Sequence, residues 1–232
     1  MGTAYFDVDG TLVATNLLHP TWHYLSNQPT PARSALRLGR ALLDAPRLAW
    51  AEVRDRRRFN ELLFAHYRGM SEDRLVVLAE EIFEEVALPR MRPGSLDLVR
   101  RCQDSGFRVV LITGALDLNT APLTRYLQAD AAICNRLEFK DGHATGKLLR
   151  PVVAGPGKAR LIADDARQAG HDLAECHAYS DSFSDVPMLS LVGHPFCVHP
   201  DGKLLRLAQA YDWPVLDLAH RSRGEVAPEA RA

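Results

Sequence analysis

No stretch of the chain approaches the ~20 consecutive apolar residues that a bilayer-spanning helix needs. Cysteine is scarce too: Cys102, Cys134, Cys176 and Cys197 lie far apart, with neither a Cys-x-x-Cys pair nor the Cys/His spacing of a zinc site. A disulfide framework and a structural zinc are not expected; free thiols in a reducing cytoplasm are. Excess charge of either sign is also missing. Lys and Arg number 28 against 29 Asp and Glu, a net charge of −1, which removes the basic surplus of a general nucleic-acid binder. No basic and apolar leader precedes the first strand-like run, and position six, where a myristoylation signal carries Ser or Thr, is Phe6. A cytoplasmic protein is the expectation.

What is present is an ordinary globular composition, 47% hydrophobic and 25% charged over 232 residues, enough for one large domain or a core carrying an insertion. After Pro93, short apolar runs alternate with helix-like stretches. Strands are expected at Phe107–Ile112, Ala131–Cys134, His177–Tyr179, Pro195–Val198 and Val215–Leu216. Helices are expected near Ser95–Ser105, Asn119–Gln128, Lys158–Gln168, Asp185–Leu191 and Lys203–Tyr211. Such alternation implies an α/β fold: a Rossmann-like core whose parallel sheet has helices on both faces.

Residues 13–90 break that rhythm. Ser34–Trp50, Phe59–Tyr67 and Asp73–Val86 carry apolar residues at helical spacing, interrupted at Pro46 and Gly69, and no convincing strand occurs among them. This reads as an all-helical cap inserted after the first strand, leaving 1–12 and 91–220 as the core and 221–232 as a frayed polar tail. The turn-rich Leu88–Gly94 suits a hinge, and Lys140–Gly146, centred on Asp141-Gly142, suits a small hairpin on the core.

The first strand-like run ends in Asp7-Val-Asp9-Gly-Thr11. Two carboxylates delivered by a strand into a tight turn suit phosphoryl transfer: one attacks phosphorus and the other acts as acid and then base, provided a cation offsets their repulsion. On this fragment alone an exposed Asp-Gly turn would look the same. In a parallel sheet, however, ligands collect at the carboxyl ends of strands, and three further segments bring chemistry there. Val109–Ile112 runs into Thr113-Gly114, a hydroxyl and a flexible backbone N–H for a phosphate oxygen. His177–Tyr179 runs through Ser180 into Asp181-Ser-Phe-Ser-Asp185, and Gly155-Pro-Gly157-Lys158 sets an ammonium at a helix start. Four carboxylates, a hydroxyl and a lysine around one crevice form an oxygen-rich set that suits Mg²⁺ better than zinc.

In these motifs, and in their order along nearly the whole core, the chain resembles the haloacid dehalogenase superfamily of phosphohydrolases, in its phosphoserine-phosphatase-like branch. Asp7-Val-Asp9-Gly-Thr11 looks like that family's first motif, Thr113 its second, Lys158 its third and Asp181-Ser-Phe-Ser-Asp185 its fourth. The resemblance implies that Asp7 is a nucleophile forming an aspartyl-phosphate and Asp9 a general acid and then base. Thr113 and Gly114 would hold a phosphoryl oxygen, and Lys158 would neutralise charge on the phosphate and Asp7. Mg²⁺ would be bound by Asp7, the backbone carbonyl of Asp9 and Asp181, with Asp185 orienting a metal-bound water. An acid at Asp9 implies phosphatase or phosphomutase chemistry, since dehalogenases lack one there and ion-pumping ATPases have Thr. Two departures stand out. Ser180 replaces the Gly of many relatives, a change expected to leave the metal site intact, and Asn16 stands where phosphoserine phosphatases use Glu for the substrate amine, which argues against phosphoserine itself.

Other features have simpler readings. Arg54-Asp-Arg56-Arg57-Arg58 could grip a second anion or touch anionic lipid, but a solvated helix face accounts for it. Leu36, Leu38, Leu42, Leu43, Leu48 and Trp50 fit cap packing, with weak membrane-surface contact or a lipid-phosphate substrate as the alternative. His19 and His23, one helical turn apart, fit cap packing or substrate contact, and Asp117 fits a helix cap. Gly155–Lys158 is not a nucleotide loop, because Val152 and Ala159 replace the Gly and Ser/Thr it requires. The reading is a Mg²⁺-dependent phosphatase acting on a small phosphorylated metabolite. A lipid-phosphate phosphatase, a phosphomutase or phosphotransferase, and a non-catalytic phosphate-binding module are the alternatives.

Overall fold

A fully buried strand, β1 (Thr3–Phe6), opens the computed structural model, which describes residues 2–220; the tail expected at 221–232 lies outside the described residues. Four helices follow: α1 (Leu18–Ser26), α2 (Pro31–Arg54), α3 (Arg56–Ala65) and α4 (Glu72–Ile82), the last continued by a wider turn to Ala87 and a tight one over Leu88–Arg90. Next come α5 (Ser95–Asp104), β2 (Arg108–Leu116), α6 (Asp117–Leu127), β3 (Ala131–Asn135), and a hairpin of β4 (Leu137–Lys140) and β5 (His143–Leu148). The chain closes with α7 (Gly157–Ala169), β6 (His177–Ser180), α8 (Val186–Leu189), β7 (His194–Val198), α9 (Gly202–Ala210) and β8 (Val215–Leu216).

Six strands form one sheet in the order β3-β2-β1-β6-β7-β8, every pair parallel. Parallel strands buried on both faces need apolar side chains on both sides, and β1 and β2 supply them. Ala4, Phe6, Val109 and Leu111 pack with Leu98 of α5 and Leu123 of α6. Tyr5, Val110 and Ile112 pack on the opposite face with Ile162 of α7, Met188 of α8 and Leu204 of α9. The sheet grows outward from β1 to β3 on one side and from β6 to β8 on the other, so the chain changes direction between β1 and β6. At such a switch point the carboxyl ends of neighbouring strands leave an open crevice.

His177 opens the interior strand β6, its ring centroid 4.2 Å from that of Phe107 and 5.3 Å from that of Phe196. Burial, and secondarily His194, push its pKa down to about 4. The unfolded imidazole accepts a proton near ~6.5. Stability therefore rises with pH through this window and is lost as pH falls from about 6.5 towards 4. Partial exposure limits the loss to the order of 1 kcal/mol. His177→Phe is expected to flatten the acid limb of thermal midpoint against pH, and an unaltered limb would refute the assignment.

The four helices have a core of their own, in which Tyr24, Phe64, Tyr67 and Leu75 pack with Leu116, Leu137 and Ala144. The hairpin therefore joins the helices rather than lying only on the sheet: Gly69 N–H donates to Ala144 O at 2.7 Å, and Ser71 bridges to His143. Asp141 and Gly142 both take positive φ, as a two-residue hairpin turn requires. The two chain crossings run side by side, with Val13 paired to Met91, Ala14 N–H on Arg90 O and Arg92 N–H on Leu12 O.

Three expectations need correction. Pro46 does not interrupt its helix. Thr30 caps α2 by accepting from Arg33 N–H, Pro31 fits the first turn, and the helix continues past Pro46 on an exposed turn, where water can satisfy the carbonyl the ring leaves unpaired. The leucines of this helix are not all packed: Leu48 is buried, whereas Leu36, Leu42, Leu43 and Trp50 are exposed. The helix expected over Asp185–Leu191 is only one turn, preceded by a tight turn at Phe183–Asp185.

Candidate active site

Asp7 is the first residue beyond β1, and its N–H donates to Tyr179 O of the neighbouring β6 at 3.0 Å, which fixes the backbone at the crevice. Its buried carboxylate is held at both oxygens. Lys158 Nζ, from the first turn of α7, donates to Oδ1 at 2.7 Å, and Thr11 Oγ1 donates to Oδ2 at 3.1 Å. The same two side chains tie in the far motif: Lys158 Nζ also donates to Asp185 Oδ2 at 2.7 Å, and Thr11 Oγ1 also reaches Asp181 Oδ1 at 2.9 Å. Asp9 stands apart from this lattice. Thr15 Oγ1 donates to one of its oxygens at 2.8 Å, and Thr113 Oγ1 approaches the other at a long 3.5 Å. Thr113 in turn accepts from Ala115 N–H, and Gly114 O accepts from Asn135 Nδ2 at 2.8 Å.

All seven side chains and backbone groups expected at the site, those of Asp7, Asp9, Thr113, Gly114, Lys158, Asp181 and Asp185, line one cleft of about 160 Å³. Sequence reasoning left out Thr15, Glu52 and Asn60, and gave Arg56 only as part of a basic run that could grip a second anion. Thr15 supports Asp9, Asn60 of α3 donates to Val153 O at 3.2 Å beside Gly114, and Glu52 and Arg56 form the rim as a 3.1 Å pair. The Arg54–Arg58 run thus divides: Asp55 caps α3, Arg57 pairs with Glu61, and Arg54 and Arg58 lie over the Trp50 ring. Asp117 stands at the start of α6 and accepts from Leu118 N–H. Ser180 is more than a neutral replacement for glycine, because its hydroxyl donates to Asp185 Oδ2 at 2.8 Å and shares that oxygen with Lys158.

The electrostatics leave the crevice short of positive charge. Burial pushes Asp7 up to about 8 despite the opposing pull of Lys158, and the carboxylates of Asp185 and Asp181 push the same way. Burial also raises Asp9, tempered by the Thr15 hydroxyl, and raises Asp181, tempered by Thr11. Lys158 stays protonated, since Asp185 and Asp7 outweigh its own burial. Among the described residues no three His, Cys, Asp or Glu side chains form a ready-made metal cage. An all-oxygen set with surplus negative charge fits Mg²⁺ nonetheless, because that ion binds through one or two carboxylates and keeps water and substrate phosphate for its remaining positions.

Gly10 makes the geometry possible. Its φ is +88°, and a Cβ there would stand 2.1 Å from Asp181 Oδ2. Gly10→Ala is therefore expected to displace Asp181 and to cost about 1–3 kcal/mol in urea unfolding from backbone conformation alone. A variant as stable as the parent would contradict this placement.

A family model described as haloacid dehalogenase-like hydrolase matches residues 4–190, which contain every one of these groups. The chain belongs to that family. Among relatives of this hydrolase, phosphoserine phosphatase SerB1 of Mycobacterium tuberculosis is 33% identical over 232 residues, covering 99% of this chain and 75% of the relative. A Bordetella pertussis Tohama I protein described as of unknown function superposes with a TM-score of 0.78 at 26% identity, over 93% of this chain and 98% of its own. A phosphoserine phosphatase structure described as a phospho-aspartyl intermediate analogue has a TM-score of 0.68 at 16% identity, over 95% of this chain and 94% of its own, a likeness of fold. The Rossmann-like parallel sheet read from the sequence is the fold of this family, and the protein is an enzyme of its hydrolase and phosphatase class. No helix among the described residues is long and apolar enough to cross a membrane.

Proposed function

We propose that the protein is a Mg²⁺-dependent phosphatase that hydrolyses a phosphomonoester through an aspartyl-phosphate on Asp7. The observation that carries this reading is the double tether of Asp7: Lys158 on one oxygen and Thr11 on the other aim a buried carboxylate into a cleft that Asp9 shares. In the first step an Asp7 oxygen bonds to phosphorus, the ester P–O bond breaks, and the Asp9 carboxyl gives its proton to the departing oxygen. In the second step Asp9 takes a proton from water, the water oxygen bonds to phosphorus, and the Asp7 carboxylate leaves. Burial raises the Asp9 pKa, which favours the protonated form the first step needs.

Lys158, the Thr113 hydroxyl and the Gly114 N–H are the groups for the phosphoryl oxygens. Asp7, the Asp9 backbone carbonyl and Asp181 would hold Mg²⁺, with Asp185 beside them. Bound there, the ion would offset the carboxylates and polarise the phosphoryl group. Asp185 orients Lys158 within this chain, and Ser180 orients Asp185. Residues 13–90 serve as a helical cap on a core of 1–12 and 91–220. Two observations support the division: the crossings are paired at Val13 and Met91, and Asn16, Glu52, Arg56 and Asn60 of the helical segment reach the cleft. Such a cap excludes water when it closes over the phosphate.

Phosphate release from a panel of phosphomonoesters tests the reading. Release is expected with Mg²⁺, to fall at least roughly 100-fold with chelator, and to return when Mg²⁺ is restored. Full activity in chelator would overturn the metal assignment.

A further inference from the structure

Beside the phosphate cleft lies a groove of about 620 Å³, bounded by α1, α2 and α3 and lined largely by apolar side chains, among them Trp22, Leu42, Leu48 and Leu63. The two hollows meet. Asn16, Leu18, Glu52 and Phe59 line both, so a molecule with its phosphate at Asp7 can continue directly into this groove. We propose that the groove holds the hydrocarbon tail of the substrate, and that the substrate class is a single-chain amphiphilic phosphomonoester. This rests on the phosphatase reading of the Asp7 cleft and names what leaves from it.

Three features carry the inference. The first is size. The phosphate cleft has about 160 Å³, whereas the adjoining groove lies within the ~300–1,000 Å³ of ordinary small-molecule sites. The second is exposed apolar surface. Leu18, Trp22 and Leu42 are 45%, 57% and 64% exposed, and large side chains gathered along a concave wall mark a binding surface far more specifically than scattered ones do. The helical periodicity of α2 would have buried its leucines against the other helices; instead, of the two leucines that α2 contributes to the groove, Leu48 is covered and Leu42 is left facing it.

The third is the polarity of the junction. An amino-acid leaving group needs a carboxylate for its ammonium. Asn16 is neutral, and its amide oxygen accepts from Leu18 N–H at 3.0 Å and lies 2.9 Å from His19 Nδ1. The Glu52 carboxylate is engaged by Arg56. Beyond that ring the wall is mainly hydrocarbon; Thr21, His19, His23, His66 and Arg90 also line it, and Glu52 is the one carboxylate among its lining residues. The recognised chemistry is therefore a dianionic head followed directly by an apolar chain, and one groove accommodates one chain.

The test measures binding separately from turnover. Ethyl, hexyl and decyl phosphonates, which cannot be hydrolysed, are titrated below their micelle concentrations by calorimetry into the whole protein and into an Ala45→Phe/Ala49→Phe variant. Ala45 and Ala49 line the groove and are exposed, so the added rings occupy the groove without entering a packed core. Transfer of methylenes from water predicts that Kd tightens by up to roughly fourfold per methylene until the groove is filled. An overall gain of at least about 30-fold from ethyl to decyl, cut at least tenfold in the variant, is the expected result. Equal affinity for the three phosphonates, or the same chain-length dependence in both proteins, would overturn the proposal. Phosphate release from the matching alkyl phosphates is followed in parallel. Release from the ethyl ester with flat phosphonate binding removes the groove and keeps the phosphatase; chain-length-dependent binding with no release from any ester keeps the groove and removes the phosphatase.

Discussion

Replacing Asp7 with Asn is expected to lower turnover of any phosphomonoester by at least about 10⁴-fold while leaving the fold in place. The amide is not a nucleophile towards phosphorus, so loss of the covalent step is chemical rather than structural. Its shape and hydrogen bonds are retained: the amide oxygen can accept from Lys158, and the amide nitrogen can donate to Thr11, whose own proton then serves Asp181. Stability moves the other way. Because burial pushes the Asp7 pKa upward against the pull of Lys158, the buried anion carries a cost in the metal-free protein, and a neutral isostere relieves it. The Asn variant should therefore melt at the same temperature as the parent or slightly above it in chelator. Residual turnover within 100-fold of the parent, in a preparation free of contaminating phosphatase, would reassign the nucleophile.

The residues of this cleft were legible in the sequence for a topological reason. β1, β2 and β6 are adjacent and parallel, so whatever follows each apolar run is carried to the same edge, and Asp7, Thr113 and Asp181 follow such runs. Lys158 belongs to them because a helix start after a glycine-rich turn faces that edge. What was not legible depends on side-chain direction across long separations. Glu52, Arg56 and Asn60 reach the cleft from helices whose periodicity says which residues share a face, not what the face meets. Ser180 looked like a silent change because its partner, Asp185, becomes a neighbour only when the tight turn at Phe183–Asp185 brings the carboxylate back towards β6. Pro46 misled for an energetic reason: one lost helical hydrogen bond on an exposed turn is outweighed by the cooperative propagation of a 24-residue helix. The hairpin at Lys140–Gly146 was correct in its turn chemistry, but only the long-range contact with Gly69 and Ser71 shows that it completes the helical core.

Lys158→Met is expected to damage stability and activity together, which distinguishes it from the change at Asp7. The ammonium is buried and is bonded at 2.7 Å to two buried carboxylates, Asp7 Oδ1 and Asp185 Oδ2. Methionine matches its length and apolar stem but leaves both acids without their cation. Stranding buried charge in this way costs about 3–5 kcal/mol, so the unfolding midpoint in urea should fall well beyond the effect of a surface substitution. Adding Asp185→Asn to the variant removes one stranded charge and should recover part of the loss, a coupling that a double-mutant cycle measures directly. Turnover should drop by at least about 10³-fold, because a preorganised donor to the transferring phosphoryl group has gone and Asp7 is no longer held on that side. The double variant should regain stability without regaining activity, since neither substitution restores a cation to the Asp7 oxygen. If the single variant unfolds within about 1 kcal/mol of the parent, buried pairing is not what holds these acids in place, and water must reach the lysine pocket more freely than its burial implies.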